Sequence, residues 1–319
     1  MTDAAAPPAS ATPGPVRRWV LGARPRTLPA AVVPVLVGTA AAQARWAPGL
    51  PASSWWRAVG ALVVALAIQV GTNYANDYSD GIRGTDDARV GPVRLVASGL
   101  AAPGAVKRAA LVSFGLAGVV GLWLAAVTSW WVLLVGAACL AAGWFYTGGP
   151  RPYGYAGYGE LFVFVFFGLV ATEGTYYVQT ERLGHGVVLS AAVAVGLLAT
   201  ALLLANNLRD IETDRQSGKR TLAARIGRGP GGWCYVACVA LPFALVAVWA
   251  VLALTGTVAG HWPAVTLVPL LAAPLAVAPV RVVRSDAAGR ALLPVLAATG
   301  RLQLVFGVLL SLALYGWIR

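Results

Sequence analysis

The sequence predicts an all-α integral membrane protein, a bundle of nine transmembrane helices. Composition is the first reason: of 319 residues, 58% are hydrophobic and 11% charged, and a mean hydropathy of +0.72 is far too high for an ordinary soluble domain. Pattern is the second, because charge-free stretches recur at lengths near the ~20 residues that a helix needs to cross a bilayer. The third is the placement of the remaining charge, since basic residues gather in alternate connections.

Residues 1–16, MTDAAAPPASATPGPV, are rich in Pro and Ala and are expected as a disordered cytoplasmic tail, with residues 17–319 forming a single transmembrane domain. The tail lacks the basic start and apolar core of a signal peptide, and Arg17-Arg18 reads as a topology signal. Runs free or nearly free of charge follow at Leu28–Ala44, Ala58–Asn76, Ala109–Pro150, Leu161–Thr180, Gly186–Leu208, Gly229–Val280 and Leu302–Ile318. Two of them are long enough for two crossings each. Thr128-Ser129 divides the first of these, and Gly256–Pro263 (GTVAGHWP) the second, because Gly and Pro punctuate helices. The nine segments are apolar on all sides, as helices among lipid and other helices must be. Their length also excludes an outer-membrane barrel, whose strands run to ~10 residues.

A net charge of +12 would point to nucleic acid in a soluble protein, so its distribution has to decide. With a cytoplasmic N-terminus, Arg45, Arg57, Arg182 and Arg319 fall outside and every other Lys and Arg inside. This positive-inside pattern fits a multi-pass protein of the cytoplasmic (inner) membrane with its C-terminus outside. It assigns the basicity to topology and to the anionic surface of the lipid bilayer, not to nucleic acid.

Seven of the twelve acids fall in two short windows: Asp77, Asp80, Asp86 and Asp87, then Asp210, Glu212 and Asp214. Both windows close an uncharged helix, both follow Asn (Asn73 and Asn76; Asn206 and Asn207), and both lead into basic connections. One device is used twice, a spacing compatible with an internal duplication. Asp77 and Asp80 stand at i, i+3 and Asp210 and Asp214 at i, i+4, so each pair shares a helical face. Like charges that close repel unless a cation lies between them, and Mg²⁺ takes one or two carboxylates and completes its shell with water and phosphate oxygens. Arg83, Arg89, Arg94, Arg209, Lys219 and Arg220 would neutralise the remaining phosphate charge. For Asp86, Asp87 and Glu212 a solvated-loop reading stands equally.

A diphosphate head bound at the cytoplasmic end of a hydrophobic bundle points to a polyprenyl diphosphate, whose allylic C–O bond ionises when the leaving group is stabilised. CDP-alcohol phosphotransfer fails on spacing, since its second acid pair would follow closely. Ion transport fails on depth, since carriers place acids near the bilayer midplane.

The stretches NDYSDGIRGTDDARVGPVRLVASG, YTGGPRPYGYAGYGE and NNLRDIETDRQSGKRTLAARIG resemble the UbiA-type intramembrane prenyltransferases, over nearly the whole chain from Arg24. Within that superfamily they are most similar to the branch acting on 1,4-dihydroxy-2-naphthoate in menaquinone biosynthesis. Branches that use hydroxybenzoate, homogentisate or protohaem are the alternative. The resemblance implies a nine-helix bundle, Mg²⁺, and prenyl transfer from a polyprenyl diphosphate to the naphthoate with loss of CO₂. By the match, Asn73, Asn76, Asp77 and Asp80 belong to the first metal-diphosphate motif and Asp210 and Asp214 to the second, with Arg209, Lys219 and Arg220 as diphosphate clamps. The third Asp of the first motif is replaced by Gly84, so Asp86, Asp87 or a water takes its place.

Tyr74, Tyr78 and Tyr146 are candidates to shield an allylic cation, or equally are bundle-wall aromatics. Glu160 and Glu173 lie at and inside a helix, and Arg151 is the one base of its loop and a candidate for the naphthoate carboxylate. His185 and His261 fall on outer connections. Cys139, Cys234 and Cys238 read as small buried residues.

Overall fold

The computed structural model describes residues 13–43, 55–85, 93–257 and 263–316. Residues 1–12 of the expected tail, Arg45, Asp86, Asp87, Arg89, His261 and Arg319 lie outside them. Every regular element among the described residues is helical. α1 (Pro15–Ala23) takes in Pro15 and Val16, the last two residues of the expected tail, and Pro is well placed in a first turn where no N–H partner is needed.

A 54° bend separates Pro15–Thr27 from α2 (Pro29–Gln43). Then come α3 (Trp55–Ile82), α4 (Pro103–Val127) and α5 (Trp131–Phe145). A short 3-10 turn, Tyr153–Ala156, leads into α6 (Gly159–Val163), a π-helical stretch Phe164–Val170, and α7 (Ala171–Thr180), which run on as one helix. The long α8 (Gly186–Gln216) is followed by α9 (Leu222–Ile226), α10 (Arg228–Leu254), α11 (Pro263–Thr266), α12 (Pro274–Arg284) and α13 (Leu293–Gly316).

All nine predicted runs contain helix, but among the described residues six helices are long and apolar enough to cross a bilayer, or seven if the bent Pro15–Gln43 pair is one span. The two shortfalls have physical causes. The 15 residues of α5 rise about 22 Å, short of the ~30 Å hydrocarbon core. The run after α10 is broken into α11, a 3-10 turn Val268–Ala272 and α12, where Pro269, Pro274 and Pro279 each remove a backbone donor.

Packing follows the burial pattern. One apolar core joins α2, α8, α10 and α13 around residues such as Val33, Leu198, Tyr235 and Phe306. A second joins α3 and α4 with the 93–101 segment around Tyr74, Leu95 and Phe114. Between them lies a cavity of about 550 Å³ walled by α2, α3, α4, α5, the α6–α7 helix and α8. Behind one wall lies a close backbone approach: a Cβ on Gly168 would sit 2.4 Å from the Cα of Gly196, so only glycine lets the π-helical stretch lie against α8. That stretch presents Phe166 and Phe167 to the cavity.

Candidate active site

The polar end of the cavity forms where the C-terminal ends of α3 and α8 meet. On α3, Asn73, Asn76 and Asp80 follow at i, i+3, i+7 and line the cavity together. Asn73 donates from Nδ2 to the Ala23 carbonyl at 2.9 Å and to Thr27 Oγ1 at 3.1 Å. Asn76 accepts from the Thr147 hydroxyl at 2.8 Å, which leaves its NH₂ for the cavity.

Asp77, expected as a metal ligand, lies behind the cavity wall and holds backbone. It is 0% exposed and absent from the cavity wall. Its Oδ2 accepts from the Leu95 N–H at 2.8 Å and its Oδ1 from the Val96 N–H at 3.0 Å. The 93–101 segment folds back on α3 with these amides facing a buried surface, and a carboxylate satisfies both. The consequence is local: Arg94, one residue before this anchor, enters the cavity and lies 3.8 Å from Asp80 Oδ2.

On α8, Asp210 and Asp214 line the cavity one turn apart. Arg209 forks onto Asp210 with both bonds at 2.6 Å and also donates to Asn206 Oδ1 at 2.8 Å. It holds that carboxylate and does not reach the cavity wall as the expected clamp. Asp214 accepts from the Thr221 hydroxyl at 3.0 Å, while Thr221 Oγ1 accepts from the Ala224 N–H at 3.3 Å as the N-cap of α9.

Lys219 reaches the site through the way α8 ends. Its N–H bonds the Asp214 carbonyl at 2.8 Å and the Gly218 N–H bonds the Arg215 carbonyl at 3.2 Å, the paired pattern of a Schellman cap. Gly218 has φ +76, which glycine adopts without a Cβ penalty. The reversal turns the Lys219 ammonium back to Asp80 Oδ2 at 3.1 Å and over the Tyr155 ring at 4.8 Å. Tyr155 completes the bridge: its hydroxyl donates to Asp80 Oδ1 at 2.5 Å and its carbonyl accepts from the Arg220 N–H at 2.8 Å. Burial first, and the Asp80 carboxylate second, push the Tyr155 phenol up, so it keeps its proton.

Other expected clamps stand elsewhere. Arg83 donates to the carbonyls of Thr147 and Gly149, so it staples the α5–α6 loop. The side chains of Arg151 and Arg220 are exposed and lie off the cavity wall. Tyr146 does line the cavity. Tyr74 instead bonds the Trp19 carbonyl and Tyr78 lies under Lys107. Glu160 accepts from Asn207 at 2.9 Å, and Glu173 accepts from the Gly184 N–H at 2.8 Å at the opposite end; neither lines the cavity. Glu212 is exposed beside Arg215. His185 precedes α8 at that far end. Cys234 and Cys238 pack on the apolar core, whereas Cys139 lines the cavity.

Asp80, Asp210 and Asp214 offer only hard oxygen donors, the type Mg²⁺ takes. Among the described residues no three His, Cys, Asp or Glu side chains gather tightly enough to enclose an ion by themselves. The donor type of the three carboxylates fits an ion that takes one or two carboxylates and completes its shell with water and phosphate oxygens. The ammonium of Lys219 on Asp80 shows that a cation is stabilised at this point.

Sequence reasoning missed Tyr155, Thr147, Thr221 and Arg24, all of which line the cavity. Tyr155 and Thr147 sit inside YTGGPRPYGYAGYGE, a stretch whose density of Tyr and Gly was visible. What they touch depends on the loop crossing between α3 and α8.

A sequence profile of the UbiA prenyltransferase family matches residues 31–293. The 1,4-dihydroxy-2-naphthoate octaprenyltransferase of Mycobacterium tuberculosis is 51% identical over 297 residues, which cover 93% of this chain and 96% of that protein. The enzyme of the same name from Mycobacterium leprae is 50% identical over 298 residues, with 93% and 96% covered. Among solved structures, a UbiA homolog from Archaeoglobus fulgidus bound to GPP and Mg²⁺ superposes with a TM-score of 0.62 at 16% identity, covering 93% of this chain and 99% of that one.

Proposed function

This chain belongs to the UbiA prenyltransferase family, and from that premise we infer that it transfers a polyprenyl group from polyprenyl diphosphate to 1,4-dihydroxy-2-naphthoate, releasing diphosphate and CO₂ and forming demethylmenaquinol. One observation carries the reading. Asp80, Asp210, Asp214, Arg94 and Lys219 converge at one end of a cavity whose remaining walls are largely apolar and aromatic, the chemistry that a charged head and a hydrocarbon tail require together.

Mg²⁺ held by Asp80, Asp210 and Asp214 would supply charge neutralisation for the departing diphosphate. The chain does the rest. Lys219 and Arg94 bring cationic donors to the same oxygens, and Tyr155 fixes the Asp80 carboxylate from the other side. Asn76 presents its amide NH₂ to the head group. Breaking the allylic C–O bond leaves a carbocation at C1, and the aromatic wall that Tyr146, Tyr153, Phe162 and Phe166 give the cavity stabilises it while excluding water. The naphthoate carbon that bears the carboxylate attacks C1. The C–COO⁻ bond then breaks, its electron pair returns to the ring, and CO₂ leaves, so no net proton is needed.

We place the acid-bearing end in the cytoplasm and the protein in the cell membrane, on the positive-inside distribution of Lys and Arg. The test uses purified protein in detergent with Mg²⁺, a short prenyl diphosphate and carboxyl-labelled dihydroxynaphthoate. Labelled CO₂ and prenylated naphthol should appear together and stop with EDTA. Prenylation of hydroxybenzoate or another phenol, with no CO₂ from the naphthoate, would move the chain to a different branch of the family.

A further inference from the structure

We propose that Arg24 is the specificity-determining residue that binds the carboxylate of the aromatic acceptor. This rests on the naphthoate reading and names the group that recognises that substrate.

Among the described residues six charged side chains line the cavity, and five cluster at the α3–α8 end: Asp80, Arg94, Asp210, Asp214 and Lys219. Arg24 is the sixth. Its Nε and Nη2 are buried with no hydrogen-bond partner, in a cavity wall it shares with Thr27, Gln69 and Asn73. A guanidinium left with buried, unpaired donors is costly unless an anion completes it, and its two adjacent N–H groups match the two oxygens of one carboxylate.

Backbone geometry shows that this placement is held against local preference. Arg24 has φ +52, one of two described non-glycine residues with positive φ, and it precedes Pro25. Such a conformation persists only where its surroundings over-determine it. Here α3 does so: Asn73 Nδ2 bonds the Ala23 carbonyl, and Gln69 Nε2 bonds Thr27 Oγ1 at 3.0 Å, so both sides of Arg24 are fixed. Asn73 and Gln69 are therefore positioning residues for Arg24.

Position separates this group from the diphosphate clamps. Asn73 precedes Asp80 by seven residues, which is about 10 Å along the helix. Lys219 and Arg94, the cations set against the phosphate charge in the proposed reaction, stand at the Asp80 level. An acceptor attacking C1 lies beside the head group, toward the apolar part of the cavity, which is the level of Arg24.

The test measures binding of 1-hydroxy-2-naphthoate and of 1-naphthol to full-length protein in detergent without prenyl diphosphate, then KM for each substrate. Wild type should prefer the carboxylated ligand. Arg24→Gln should weaken its binding by about tenfold or more, the loss of one charge-assisted contact, while 1-naphthol binds as before and KM for the prenyl diphosphate is unchanged. Arg24→Lys, which keeps the charge but not the fork, should recover part of the preference and guards against misfolding of the Gln variant. An Arg24→Gln protein that keeps the carboxylate preference, or one in which KM rises for the prenyl diphosphate and not for the naphthoate, overturns the assignment while wild-type CO₂ release upholds the reaction. A wild type that releases no CO₂ and shows no carboxylate preference overturns both.

Discussion

Replacing Asp77 by Asn exchanges a carboxylate that accepts from two buried backbone amides for a side chain with one acceptor and one donor. Charge-assisted hydrogen bonds contribute about 1.5–3 kcal/mol each. The variant keeps one, uncharged, and turns an NH₂ against the other N–H, so docking of the 93–101 segment should weaken by about 2–4 kcal/mol. At about 1.4 kcal/mol per tenfold, that is a shift of roughly 30- to 1,000-fold in the docking equilibrium. Hydrogen exchange reads it directly: the amides of Leu95 and Val96 should exchange faster by that factor in Asp77→Asn and at the wild-type rate in Asp80→Asn. Turnover falls in both variants. It falls in the first because Arg94 is no longer held 3.8 Å from Asp80, with the Mg²⁺ concentration for half-maximal activity unchanged. In the second that concentration should rise. Unchanged exchange at Leu95 and Val96, with a raised Mg²⁺ requirement in Asp77→Asn, would refute the anchor and return Asp77 to the metal site.

Lys219→Gln should raise KM for the prenyl diphosphate by about tenfold to a hundredfold, the loss of one contact between a cation and phosphate, with the naphthoate KM little changed. Gly218→Ala meets no atom within 4 Å, so its whole effect is the left-handed backbone. It should cost about 1–2 kcal/mol in thermal denaturation and reproduce part of the Lys219 defect. Chelation should abolish turnover, and added Mg²⁺ should restore it in wild type but not in Asp214→Asn. Because the Tyr155 phenol is pushed up from its ordinary value near about 10, Tyr155→Phe should lower kcat without changing the shape of the rate profile from about pH 6 to about pH 9. A lost alkaline limb in that variant would make Tyr155 a titrating catalytic group.

The sequence by itself determined the helical membrane class, the two acid motifs and their location at helix ends. Those properties follow from local chemistry: apolar run length, the cost of charge in lipid, and a helical spacing that puts Asp210 and Asp214 on one face. It also carried the Gly that ends α8, whose conformational freedom is a property of one residue. Only the tertiary structure decided which member of each cluster faces the cavity. Asp77 and Asp80 are three residues apart and share a face in the sequence, yet the fold-back of the 93–101 segment takes one for its backbone and leaves the other to the site. Arg83, Arg151 and Arg220 looked like clamps because their charge is legible, whereas their direction is set by loops. Arg24 was missed because nothing in RPRT marks a guanidinium with buried donors; the backbone on either side of it is fixed by Asn73 and Gln69, about fifty residues away in the chain. Residue type fixes what a side chain can bind, but what it faces is decided by segments that meet only after the bundle has closed.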